Sequence, residues 1–249
     1  MFKVLMSIIL AFLFSACSNK TLAYSWERTK GAAYNAAVDP VTWAPVATGL
    51  TADITGWDDD ITDDIMEEDE NDRIFSEDDA DNMRTFSTGI TYATAVFVSD
   101  DGNITNQIYM KAKRLTVDIA ALSLGRQYVN LTNKHVDHES PGKTNKDAFG
   151  SNHAVTPFAS AALTRRHVDL MEIPTWSKYS INTLSYAAAT GSAYQRIESG
   201  LHSFSDQMYS AAGGNFIALF IHDAFMAEDT DLGIDLSGED PKLTLSFKF

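Results

Sequence analysis

The chain has 249 residues, 34 acidic against 19 basic side chains, a net charge of −15, 45% apolar residues and a single cysteine. That length and apolar share suit one ordinary to large domain with a sizeable core. The acidic surplus argues against a nucleic-acid binder, which needs a basic face, and one cysteine excludes a disulfide framework and every multi-cysteine zinc or iron–sulfur site.

Residues 1–17 read MFKVLMSIILAFLFSAC. Lys3 precedes an apolar run ending at Phe14 that is too short to span a bilayer, and Ser15, Ala16 and Cys17 follow. This is a secretory signal layout. Phe14-Ser15-Ala16-Cys17 also resembles the bacterial lipobox, which implies cleavage before Cys17 and its acylation. Ser18 after the cysteine is similar to sorting to the outer membrane. The expected organisation is a signal peptide over 1–16, a lipid-anchored tether over 17–30 and one domain over 31–249. The body would then be held at the cell envelope, on the outer membrane facing the periplasm. An ordinary secretory signal with an incidental cysteine is the alternative.

From 31 to 56 the chain is apolar and punctuated by Pro and Gly. Residues 58–81 carry fourteen of the 34 acids. Ile61, Ile65 and Met66 recur there at helical spacing, which predicts amphipathic helix with a solvated acidic face. No Gly lies between Gly56 and Gly89, so an EF-hand loop is absent. Residues 107–131 predict a helix through Ile108, Lys111, Leu115, Ile119, Leu122 and Tyr128. A polar loop is expected over 132–152, an Ala-rich helix over 153–169, a helix over 175–195 rich in Ala and Ser, and a last helix over about 203–226. The tail Leu243-Thr244-Leu245-Ser246-Phe247 alternates as a strand does. The fold class expected is all-α with a short C-terminal strand. Trp26, Trp43, Trp57 and Trp176 read as core or interface anchors, and His135, His138, His167 and His222 as surface or satisfied core.

Two histidines stand out by their neighbours. His153 lies in Ser151-Asn152-His153, where a loop enters a helix. His202 lies in Arg196-Ile197-Glu198-Ser199-Gly200-Leu201-His202, followed by Asp206. If that segment is helical, His202 and Asp206 share a face, and an Asp one turn away fixes the imidazole tautomer and frees the other nitrogen as a nucleophile. Arg196 can clamp a phosphate bidentately, and Ser151 with backbone N–H groups near a helix start can add donors.

Arg-x₅-His-x₃-Asp resembles the third motif of the type 2 phosphatidic acid phosphatase superfamily, which includes bacterial acid phosphatases and vanadium haloperoxidases. Ser151-Asn152-His153 resembles its second motif, Pro-Ser-Gly-His, with Gly150 in place of Pro and Asn152 in place of Gly. The first motif, Lys-x₆-Arg-Pro, is degraded to Lys134–Pro141 (KHVDHESP). Asn133 stands at the regular Lys position and Ser140 at that of Arg, with His138 or Lys143 as possible substitutes.

The resemblance implies a helical bundle and a metal-independent phosphatase without cofactor. Its substrates would be phosphomonoesters or lipid phosphates and pyrophosphates. His202 would form a phosphohistidine, Asp206 would orient it, and His153 would act as acid and then base. Arg196, Ser151, Asn152 and Lys134 would bind phosphate. The implied partners are a phosphorylated small molecule or lipid and the membrane, through Cys17. A catalytically weakened envelope lipoprotein that binds phosphorylated ligands, or is structural, is the second reading, and haloperoxidase chemistry the third. The acidic 58–81 segment is expected to lie outside this site. The oligomeric state stays open.

Overall fold

The computed structural model describes residues 19–67, 69, 71–142, 149–226, 230–235 and 242–247. The signal segment, Cys17 and Lys143 lie outside the described residues. The described body is all-α. Its helices are α1 (Asn19–Val38), α2 (Pro40–Thr55), α3 (Trp57–Ile65), α4 (Glu77–Phe97), α5 (Ile104–His135), α6 (Asn152–Leu170), α7 (Thr175–Glu198) and α8 (Phe204–Phe225). Towards the C-terminus, β1 (Thr230–Asp235) and β2 (Lys242–Phe247) pair antiparallel, with Leu232 opposite Leu245.

The N-terminal helices are punctuated by local chemistry. The stretch read as a tether is helical from Asn19, and α1 buries Ala32 and Ala36 against the bundle. Pro40 forces Asp39 into extended backbone. Asp39 then caps α2 by accepting from the Val41 N–H at 3.2 Å. Within α2, Pro45 has no N–H for the Val41 carbonyl one turn back. Asn215 of α8 supplies the missing donor through Nδ2 at 2.5 Å. Gly56, at φ +76, ends α2 and starts α3, whose first turn holds Asp58, Asp59 and Asp60 where the helix dipole favours anions.

α6 and α8 lie side by side at the centre. α4 and α7 pack on α6, and α1 and α2 on α8, while α5 touches both central helices. Small residues make this possible. A Cβ added to Gly214 would sit 2.5 Å from the Val155 carbonyl oxygen, so glycine there allows α8 to approach the α6 backbone. The core is built from Ala36, Val117, Ala121, Leu122, Ala159, Ala162, Leu163, Ala218 and Leu219.

Two expectations about faces are corrected. α5 spans 32 residues, running four past the expected end, but Ile108 and Ile119 are exposed. Its buried face instead includes Arg114, Val117, Asp118, Ala121, Leu122 and Gly125. Arg114 is paired with Asp100 at 2.6 Å and donates to the Ala95 carbonyl at 2.9 Å, which satisfies its charge inside. The four tryptophans are not core anchors: each is more than half exposed. Among the described residues no helix is long and apolar enough to cross a membrane.

Candidate functional site

The loop that carries His202 is shaped by a helix ending. α7 stops at Glu198, and Gly200 takes a left-handed conformation with φ +67. The chain then wraps back, so that the N–H groups of Leu201 and His202 donate to the Arg196 carbonyl at 3.0 and 3.2 Å. The Gly142 N–H meets the Gly200 carbonyl at 2.8 Å and ties the loop after α5 to the same turn. α8 begins at Phe204 with a capping box in which Ser203 and Asp206 exchange hydrogen bonds. Two further N–H groups are taken by α3: Phe204 donates to Thr62 Oγ1 at 3.0 Å and Ser205 to Asp58 Oδ1 at 2.6 Å. The start of α8 is therefore held from three sides.

This corrects the expected His202–Asp206 pairing on a helical face. His202 precedes the N-cap, so the i,i+4 geometry does not arise. The Asp206 carboxylate accepts the Ser203 N–H at 3.1 Å and lies 3.3 Å from His138 Nε2. Burial pushes its pKa well above the usual carboxylate range and Asp58 adds to the rise, while His138 and Ser203 oppose it. The partner of Asp206 is a histidine from the loop after α5, which no sequence spacing connects to it.

His153 sits in the first turn of α6. The turn before it is fixed by Asn133, whose side chain pairs with both backbone groups of Gly150: its Nδ2 donates to the Gly150 carbonyl at 2.9 Å and its Oδ1 accepts the Gly150 N–H. A Cβ on Gly150 would lie 2.5 Å from Thr132 Oγ1 and 2.8 Å from Asn133 Oδ1. The two departures from the family pattern, Asn133 for Lys and Gly150 for Pro, are therefore one contact, since proline has no N–H to give. The Ser151 N–H donates to Ser210 Oγ at 3.0 Å, while Ser151 Oγ is buried without a hydrogen-bond partner among the described residues.

The His153 and Arg196 side chains meet. The Arg196 guanidinium donates to His153 Nε2, and Asp81 Oδ1 lies 3.7 Å from the same nitrogen. Burial, then Arg196 and Arg84, then His202, depress the His153 pKa to about 3, against the opposing pull of Asp81. His153 is thus neutral near pH 7, with Nε2 as acceptor and the proton on the buried Nδ1. Arg196 is 6% exposed and its other partner is Glu77 Oε1 at 3.5 Å. His153, Arg196 and the backbone of His202 converge from segments up to about fifty positions apart. Lys134 is exposed in the last turn of α5, and no described contact brings it to them.

The acidic segment is not outside this site. Asp58 holds the start of α8, Glu77 pairs with Arg196, and Asp81 faces His153. Composition made the segment a solvated flank because local patterning cannot show which few of fourteen acids turn inward. The sequence reading also passed over Arg84 and Arg126. With Thr85, Thr88, Gly89, Tyr92, Asn152 and Thr156 they line a cleft of about 560 Å³. A separate polar cluster lies in the core, where His167 reaches Thr94 Oγ1 at 3.1 Å and Asp118 at 3.4 Å, beside His222. Among the described residues no three His, Cys, Asp or Glu side chains converge as a metal-ligand set.

No known family, curated protein or solved structure matches this chain. The functional reading therefore stands on its residues and their geometry.

Proposed function

We propose that this protein is a phosphoric ester hydrolase working through a phosphohistidine, on a helical bundle of the type its motifs resemble, with β2 as the terminal strand. The observation that supports it is the meeting of His153 and Arg196 against the turn that bears His202. A phosphoryl dianion placed there finds the Arg196 guanidinium and the N-terminal end of α6. Its charge offsets the cations that now depress His153, so the imidazole gains basicity when substrate is bound. With His153 holding at Nε2 a proton taken up from solvent as the dianion binds, an imidazole nitrogen of His202 attacks phosphorus, the P–N bond forms as the bond to the leaving oxygen breaks, and His153 passes that proton to the leaving oxygen. In the second step His153 takes a proton from water, the new P–O bond forms and the P–N bond breaks. Asp206 does not stand one helical turn from His202 as the motif implies, and its Oδ2 accepts from Ser203 and lies beside His138. The lipid anchor at Cys17 and a place on the outer membrane belong to the same proposal.

A second reading, a relative that binds phosphorylated ligands without turnover, is favoured by one contact. Asn133 is committed to the Gly150 backbone, so the position where the family carries a Lys lends no charge to the site.

Phosphate release from p-nitrophenyl phosphate and from phosphatidic acid, with and without EDTA, tests the proposal. The expected result is EDTA-resistant release that His202→Ala abolishes and Arg196→Ala lowers about 100- to 1000-fold in kcat, the scale of losing an oxyanion donor. Equal inactivity of wild type and His202→Ala from about pH 5 to 9 refutes hydrolysis of these substrates.

A further inference from the structure

The cleft between α4, α5 and α6 is built for a charged group. Arg84, Thr88 and Tyr92 recur at four-residue spacing on α4, and Asn152 and Thr156 do the same on α6, so each set forms one wall. Arg126 closes the third side from α5. The volume, about 560 Å³, is that of a small-molecule site. Arg84 is paired with Asp81 at 2.9 Å. Among the described residues no carboxylate lies within ion-pair distance of Arg126.

The wall carries an independent mark of an absent partner. Thr156 is 2% exposed, and its hydroxyl has no hydrogen-bond partner among the described residues. The Asn152 side-chain oxygen beside it is likewise buried and unpartnered. Buried polar atoms left without partners cost stability, so a pair of them on the wall of a cleft points to a ligand that completes them. The N-terminal end of α6 adds positive potential to two guanidinium groups, which selects an anion. The lining holds no aliphatic residue, and its apolar surface comes from the Tyr92 ring, threonine methyls and arginine stems.

We propose that this cleft binds a second, non-reacting anionic group of a water-soluble phosphorylated ligand, with Arg126 setting the preference, the Thr156 hydroxyl donating a hydrogen bond to the anion and the Asn152 side-chain oxygen accepting one from a ligand hydroxyl. The proposal rests on the phosphate reading of the adjoining His153 and Arg196. Asn152 lines the cleft and precedes His153 in the chain, and Arg84 reaches both places. A ligand with one phosphoryl group at His153 would thus lay its second charge toward Arg126.

Calorimetric titration of the purified full chain tests this, with inorganic phosphate, pyrophosphate, 3-phosphoglycerate, fructose 1,6-bisphosphate and monomeric dioctanoyl phosphatidic acid as probes. At least one of the three soluble two-anion probes should bind about tenfold more tightly than phosphate, the scale of one added charged hydrogen bond. Arg126→Gln should remove that gain while leaving the phosphate Kd within about twofold. Gly89→Leu should do the same by filling the cleft, since nothing lies within 4 Å of a Cβ placed at Gly89. The proposal is overturned if no soluble two-anion probe exceeds phosphate, if the gain survives both variants, or if phosphatidic acid alone binds more tightly. Arg196→Ala separates the two ideas: phosphate binding indifferent to that change overturns the reading of the His153 site itself, whatever Arg126 does.

Discussion

Asn133→Ala is the sharpest test of how the His153 turn is held. The substitution removes two hydrogen bonds at once, one to the N–H and one to the carbonyl of Gly150, a buried residue. Each such bond contributes about 0.5–1.5 kcal/mol net, and orphaning the buried backbone groups adds to the loss, so about 2–3 kcal/mol is expected. For a chain of this size that corresponds to a midpoint lowered by about 5–10 °C. Urea unfolding followed by circular dichroism should show a lower midpoint with an unchanged slope, because the surface exposed on unfolding is the same. Gly150→Ala completes the cycle. Its Cβ meets Thr132, Asn133 and, at 3.2 Å, the Val129 Cα, and removing the Asn133 amide takes away one of the three obstructions. The double variant should therefore cost about 1 kcal/mol less than the sum of the singles. A loss below about 0.5 kcal/mol for Asn133→Ala, or strict additivity, would show that the turn is held by something else.

Two further outcomes follow from contacts elsewhere. Asn215→Ala leaves the Val41 carbonyl without its donor and should cost about 1–3 kcal/mol in the wild-type background, but clearly less when Pro45→Ala restores an N–H at that position; equal costs in both backgrounds would sink this account of Pro45. The folded chain refuses at His153 a proton that the unfolded chain accepts near pH 6.5, and does so until about pH 3. Stability should thus fall as pH drops below 6.5, with no contribution from this group above it. His153→Gln should flatten that fall in urea titrations between about pH 7.5 and 5.5, and superimposable pH profiles would count against the buried neutral imidazole.

The sequence by itself carried the helical class, because five of the eight described helices, α3 and α5 to α8, announce themselves by periodicity or Ala content, while α1, α2 and most of α4 do not. It also singled out His153, His202 and Arg196 by residue type and order, and the structure brings His153 and Arg196 into contact beside the His202 turn. Spacing misled where it assumed one continuous element: four residues separate His202 from Asp206, yet a helix starts between them. Only tertiary structure could pair Asp206 with His138, turn Glu77 and Asp81 from an acidic run onto Arg196 and His153, and set Arg84 and Arg126 around one cleft. Those partners lie tens to more than a hundred positions apart, and no local period connects them. The net charge of −15 sets 34 acids against 19 bases and places none of them. Which acids face cations and histidines was settled by the packing of α3 and α4 against α6, α7 and α8, since a carboxylate acts on a site through distance and burial, and neither is written in composition.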